Sequence, residues 1–267
     1  MIPRRYITEW SEFARWNENA QVEQDLIITR ALIAIYSDNF LNDKLAFRGG
    51  TALHKLFLTP SSRYSEDIDL VQIKAAPIGE ILDHLRDALS FIIAEKIRVN
   101  KGSSMTSLNY RYLSDGTPPQ QMRLKIEINC REHLCVFGFK EVSISMSNTW
   151  FTGSASVKTY QTEELLGTKL RALYQRSKGR DLFDLWYALV QLRPDSDKII
   201  HSYNEYLKLT CTKIRKDEFI AHVNEKMQDD SFRNDIIGLL RPGTNFDIEV
   251  AYQTVKTEIL EKLRSHI

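Results

Sequence analysis

Between Met122 and Asn129 apolar and polar residues alternate without a break. Met122, Leu124, Ile126 and Ile128 fall two apart, with Arg123, Lys125, Glu127 and Asn129 between them. Only an extended chain sends alternate side chains to opposite faces, so this run is a strand with one buried and one polar face. Val142, Ile144 and Met146 repeat the pattern against serines across Glu141–Ser147. Such strands need a sheet and something apolar to cover it. The cover is written at helical spacing. Val22 to Tyr36 carries Val22, Leu26, Ile27, Ile33 and Ala34 as an amphipathic helix, and Ile78 to Ile97 carries Ile78, Ile81, Leu82, Leu85, Leu89, Ile92 and Ile93 as another. Leu45 to Phe47 reads as a short strand stopping at Gly49-Gly50, with Thr51 to Leu58 helical after it. Lys101 to Gln121, with Gly102, Gly116, Pro118 and Pro119, reads as a hairpin or loop holding a short strand near Leu108–Tyr112.

After about residue 155 the pattern turns helical. Thr162 followed by Glu163 and Glu164 is read as an N-cap and acidic first turn of a helix running to about Arg176. Lys178-Gly179-Arg180 breaks it, and Asp181 opens a second helix with Leu182, Leu185, Trp186 and Leu189 on its apolar face. The rest, to Ile267, is helical with an interruption at Pro242-Gly243. The expected class is α+β, a small mixed sheet with flanking helices over residues 1–155 and a helical domain over 156–267.

With 43% hydrophobic residues the chain has ample material for a core, and its formal charge of +1 leaves any nucleic-acid affinity to a local patch. Three cysteines, Cys130, Cys135 and Cys211, without CxxC spacing argue against a disulfide scaffold or a zinc site and for a reducing cytosol. No apolar run is long enough to span a bilayer, and the start of the chain lacks an apolar signal core, so a soluble cytoplasmic protein is expected.

Chemistry concentrates in two places. Asp67 and Asp69 flank Ile68 and precede Leu70 and Val71, a strand pattern that sets both carboxylates on one face. Anions that close repel, and a cation or a proton must offset the cost. Mg²⁺ is commonly held by one or two carboxylates plus substrate phosphates. Glu127, on the polar face of its own strand, becomes a third acid if that strand lies beside Asp67–Asp69; otherwise it is a solvated glutamate between lysine and arginine. The Gly49-Gly50 turn past a strand offers backbone N–H groups to a triphosphate.

The second place is Leu165 to Arg180, with Lys169, Arg171, Arg176, Lys178 and Arg180 and no acid. Lys169 and Arg176 share a helical face. Two readings stand: a solvated basic face, or a lysine reaching a nucleotide phosphate beside arginines that meet a nucleic-acid backbone. Asp181 and Asp184 also share a face; Asp184 reads as structural, and Asp181 as either an N-cap or an acceptor of a proton from the attacking hydroxyl. His54 reads as a helix-surface histidine and His133 as ordinary. Walker A, Rossmann, kinase and G-x-S-x-G signatures are missing.

The ordered set F-R-G-G-T-A-L, R-x-S-x-D-I-D-L, K-I-E-I and T-K-L-R-A-L-x-x-R-x-K-G-R-D-L-F-D-L, from about residue 45 to 190, resembles the AbiEii/AbiGii toxin family within the DNA polymerase β-like nucleotidyltransferase superfamily. The resemblance implies a minimal nucleotidyltransferase core followed by a helical domain. It implies Gly49, Gly50, Thr51 and Ser65 beside the triphosphate, Asp67 and Asp69 on Mg²⁺ with Glu127 as the third acid, Lys169 on a phosphate, and Asp181 as an essential acid. It also implies a toxin countered by a cognate antitoxin in a toxin–antitoxin or phage-defence pair, some members of which add nucleotides to the tRNA 3′ end. The longer gap from Gly50 to Asp67, and Glu in place of Asp as third acid, depart from the superfamily pattern. The expected function is therefore Mg²⁺-dependent transfer of NMP from an NTP to RNA, with tRNA foremost and Arg176, Lys178 and Arg180 as its contacts. The alternatives are a protein or small-molecule hydroxyl as acceptor, and a catalytically silent module that binds RNA or a partner.

Overall fold

The computed structural model describes residues 2–94, 96–102, 104–116 and 118–263, which divide into two compact units. The first takes residues up to Leu134 and Phe139–Tyr160; the second takes Cys135–Gly138 and the chain from Gln161 onward.

In the first unit, α1 (Arg4–Ala14) turns Ile7, Trp10 and Ala14 inward. Helix α2 (Asn19–Ser37) differs from the amphipathic reading: every residue from Val22 to Thr29 is buried, including Glu23, Gln24 and Asp25. Buried polar groups need partners, and here they tie the core together. Asp25 accepts the Trp10 indole N–H at 2.9 Å and pairs with Lys55 at 2.8 Å. Gln24 donates to the carbonyls of Glu66 and Arg123 at 3.2 and 3.0 Å and accepts from the Tyr112 hydroxyl. One side chain thus fixes both chain segments from which the candidate acids project.

After α3 (Asn39–Lys44) come β1 (Leu45–Arg48), α4 (Gly49–Ala52) continued by a π-helical turn at Leu53–Phe57, and β2 (Asp67–Gln72). Helix α5 (Gly79–Ala88) is shorter than the apolar run from Ile78 to Ile97: Ile93 is 77% exposed, and Ile97 belongs to a strand. The chain then forms β3 (Lys96–Lys101), β4 (Met105–Leu113), β5 (Gln121–Asn129), β6 (Phe139–Asn148) and β7 (Phe151–Tyr160). All seven strands make one mixed sheet in the order β3-β4-β5-β2-β1-β7-β6. β2 pairs parallel with β5, β1 parallel with β7, and the other neighbours run antiparallel. The sheet is larger than the sequence suggests. β4 runs nine residues rather than a short stretch near Leu108, and β3 and β7 add strands that the alternation does not mark.

In the second unit α6 (Thr162–Gln175) starts one residue earlier than an N-cap at Thr162 would allow. Gln161 is the cap, and its side chain makes no capping bond. Glu164 is fully buried and does a different job from a dipole-favouring first-turn acid. Its carboxylate accepts the backbone N–H groups of Val136 and Phe137 and the Tyr206 hydroxyl, anchoring the Cys135–Gly138 segment. Helices α7 (Gly179–Leu192), α8 (Ser196–Leu209), α9 (Lys216–Lys226), α10 (Asp230–Asn234) and α11 (Ile248–Glu258) follow, with 3-10 turns at Ile237–Leu239 and Leu260–Lys262. α6 and α8 approach closely at Gly167, where a Cβ would lie 1.9 Å from the Ser202 hydroxyl oxygen. Among the described residues no helix is long and apolar enough to cross a membrane.

Candidate active site

The acids of the first unit come together by strand register. Asp69 pairs across the sheet with Glu127 of β5 on one side and Arg48 of β1 on the other, while Asp67 stands opposite Lys125. Residues in register share a face, so Asp67, Asp69, Glu127, Lys125 and Arg48 all project from one side of the sheet. Ile68, Leu70 and Ile126 are buried on the other. The cost of this gathering shows at Asp67. Burial first, then the charges of Asp69 and Glu66, push its carboxyl up to about 6, with Lys125 opposing and Glu127 adding to the rise.

Glu127 is in register but its carboxylate rests 2.8 Å from the Lys125 ammonium. Among the described residues no three His, Cys, Asp or Glu side chains form a ready-made metal cluster. The donor set that fits a hard divalent cation is the Asp67–Asp69 pair, with phosphate oxygens completing the shell.

The glycine turn lies directly against Asp69. Gly49 has φ +83°, and a Cβ on it would stand 2.1 Å from Asp69 Oδ2. The Thr51 hydroxyl is buried, donating to the Asp67 carbonyl and meeting the Ser65 hydroxyl at 2.8 Å. Thr51 and Ser65 therefore bolt the turn to the start of β2. Two neighbours escaped the sequence reading. Arg48 pairs with Glu132 at 3.2 Å, and the Glu132 backbone N–H donates to Asn129 Oδ1 at 2.9 Å. His54 is buried rather than on a helix surface, with its ring 3.5 Å from the Ser62 hydroxyl. His133 pins the end of β2 through the Gln72 carbonyl at 2.6 Å.

In the second unit the basic stretch is not free of acids, because α7 supplies them. Lys169 Nζ lies 3.1 Å from Asp181 and 2.8 Å from Asp184, and both acids are fully buried. Arg176 falls just past the end of α6 and grips Asp181 with two hydrogen bonds, at 2.7 and 2.8 Å. Burial raises the Asp181 pKa, but Lys169 and Arg176 outweigh it and hold the carboxyl below its ordinary value. Asp181 is not an N-cap; Lys178 occupies that position. Lys178 and Arg180 lie 3.4 and 3.8 Å from Asp235.

Lys226 of α9 is a further residue that sequence spacing does not reveal. Its buried ammonium donates to the carbonyls of Leu173, Tyr174 and Arg176 at 2.5, 2.8 and 2.9 Å, closing the open end of α6. Lys226→Met removes three charge-assisted bonds and leaves those carbonyls unpaired. The expected loss is about 3 kcal/mol of unfolding free energy, read by urea denaturation.

Residues 30–254 match the model of a family described as the nucleotidyl transferase AbiEii toxin of type IV toxin–antitoxin systems. No curated protein sequence matches the chain significantly. Among solved structures the fold is similar to that of MenT4, the nucleotidyltransferase toxin Rv2826c from Mycobacterium tuberculosis H37Rv. The TM-score is 0.66 at 15% identity, over 97% of this chain and 90% of that one. It is also similar to JHP933 from Helicobacter pylori, with a TM-score of 0.57 at 19% identity over 93% of this chain and 94% of that one.

Proposed function

The chain belongs to the AbiEii family of nucleotidyltransferase toxins of type IV toxin–antitoxin systems, and on that premise we propose that it transfers a nucleoside monophosphate from an NTP to RNA, the tRNA 3′ end foremost, releasing pyrophosphate. Family membership itself carries a nucleotide substrate and a cognate antitoxin. The observation that supports the mechanism is the Asp67–Asp69 pair, in which burial first and the neighbouring Asp69 charge second raise Asp67 to about 6. A divalent cation is the charge that such a pair fits, and Mg²⁺ is the natural one beside a triphosphate. When bound, it would neutralise phosphate charge and lower the pKa of the attacking hydroxyl.

The chain's own residues divide the remaining work. Asp67 and Asp69 hold the cation, with Glu127 supporting them from β5. The backbone N–H groups at Gly49 and Gly50 receive the triphosphate, and Thr51 and Ser65 keep that turn in place. Lys169 serves as a point charge for a phosphate. Asp181, fully buried and gripped by Arg176, contributes by fixing the cations around it. Lys178 and Arg180 meet the RNA backbone by exchanging their Asp235 partner for phosphates, and Arg176, 51% exposed, meets the same backbone from its place on Asp181. In this reading the first unit carries the acids and the glycine turn, and the second is a helical domain that carries Lys169, Asp181 and the arginines.

The test is incubation with each α-³²P-labelled NTP, Mg²⁺, total RNA and total protein, resolved on denaturing gels beside Asp69→Ala. A tRNA-sized band missing from the variant is expected. Label on protein, resistant to RNase, would replace the acceptor. The overall charge of only +1, and basic residues already paired with acids, keep that second acceptor in view. No label with any NTP would overturn the activity.

A further inference from the structure

Two buried carboxylates and two cations meet between α6 and α7, and their distances sort them into pairs. The planar Arg176 guanidinium engages both oxygens of Asp181, through Nε to Oδ2 at 2.7 Å and Nη2 to Oδ1 at 2.8 Å. Such a fork fixes a carboxylate in orientation as well as in charge. Lys169 touches the same Asp181 Oδ1 at 3.1 Å but lies closer to Asp184 Oδ2, at 2.8 Å. The Lys169 side chain is 8% exposed and both acids 0%. A flexible four-carbon stem ending in an ammonium has no preferred place of its own, and a buried ammonium stays where its anionic partners are. Asp181 divides itself between the arginine fork and the 3.1 Å contact to Lys169. Asp184, one helical turn further along α7, is the group placed to set where Lys169 ends.

We propose that Asp184 is a positioning residue for nucleotide binding, acting through Lys169, while Asp181 is shared between Lys169 and the Arg176 fork. This rests on the assignment of Lys169 to a substrate phosphate. Asp184 does not touch the substrate; it aims the residue that does.

The test is a double-mutant cycle of Lys169→Met and Asp184→Asn. Its readouts are kcat and KM for the NTP that labels, and Mg²⁺-dependent binding of inorganic tripolyphosphate by calorimetry. Lys169→Met is expected to lower kcat/KM by roughly 100-fold. Asp184→Asn is expected to raise KM and weaken tripolyphosphate binding about 10-fold, with kcat changed less than 3-fold, and the double variant is expected to be no worse than Lys169→Met alone. Additive losses would overturn the proposal. So would Asp184→Asn that melts at a lower temperature yet keeps wild-type KM and tripolyphosphate affinity, since that is what a purely structural ion pair gives. Should Asp184→Asn fail to fold, Asp184→Glu keeps the charge and moves it by one methylene. A several-fold rise in KM at unchanged kcat supports positioning, and wild-type kinetics overturn it. Wild-type protein that transfers nothing from any NTP would sink the nucleotidyl-transfer reading, and the tripolyphosphate cycle would still decide whether Asp184 acts through Lys169.

Discussion

Asp67→Asn will abolish nucleotidyl transfer and, in the same protein, raise thermal stability at pH 8. Both effects come from one carboxylate. In the fold Asp67 titrates near 6, raised by burial and by Asp69 and Glu66, against an unfolded value near 3.8. An acid whose folded pKa is raised costs stability once the unfolded chain ionises and the folded one does not. The cost is therefore nil below about pH 4, grows between pH 4 and 6, and is complete above 6. A shift of about two units corresponds to on the order of 2–3 kcal/mol at 1.36 kcal/mol per unit. The asparagine variant lacks this cost, so its stability should run flatter between pH 4 and 6 and exceed wild type above that window. Mg²⁺ should reverse the order, because binding to wild type stabilises by RT ln(1 + [L]/Kd) and the variant has lost a ligand. Transfer should drop by roughly 1,000-fold or more, as expected when a charge that holds the reacting phosphate's cation is removed. Melting curves with and without Mg²⁺, beside the labelling assay, read both halves. A variant less stable than wild type at pH 8 without Mg²⁺ would contradict the electrostatic account of this strand.

What could be read from the sequence, and what could not, follows the range of the interaction. Asp67, Asp69 and Glu127 were visible because a period of two places each on a known face of its own strand, and the β2–β5 register then set Asp69 opposite Glu127. The 3.6-residue periods of α6 and α7 were legible for the same reason. Burial all round hid α2's role, since a helix with Glu23, Gln24 and Asp25 inside looks amphipathic when only its apolar residues are counted. β7 was hidden by Thr152, Gly153, Ser154 and Ser156, which carry no apolar alternation but here sit in an antiparallel pair with β6. The contacts least accessible to sequence were those joining distant segments. Arg48 meets Glu132 across 84 positions, Gln24 reaches Arg123 across 99, and Lys226 closes the α6 end from 50 positions beyond Arg176. The Lys169–Arg176 face looked free of anions because its acids belong to the next helix, turned back against it.

Gly49→Ala should cost both stability and activity, and a second glycine separates the causes. Gly49 sits at φ +83°, where an L side chain is strained by about 1–2 kcal/mol. The new methyl would also lie 2.1 Å from Asp69 Oδ2 and 2.9 Å from its Cγ, so the carboxylate must move. Misplacing a catalytic ligand by about 1 Å costs on the order of 100-fold in rate. That loss should appear in kcat/KM and in weakened Mg²⁺ affinity. Gly243 has the same φ of +83° with nothing within 4 Å of its would-be Cβ. Gly243→Ala should therefore lose a comparable 1–2 kcal/mol in denaturant unfolding while keeping kcat/KM and Mg²⁺ binding within about twofold of wild type. Equal activity losses in the two variants would mean that strain alone slows the enzyme. Full activity in Gly49→Ala would mean that Asp69 does not need its place above the turn, and the assignment of Asp69 to the cation would fall with it.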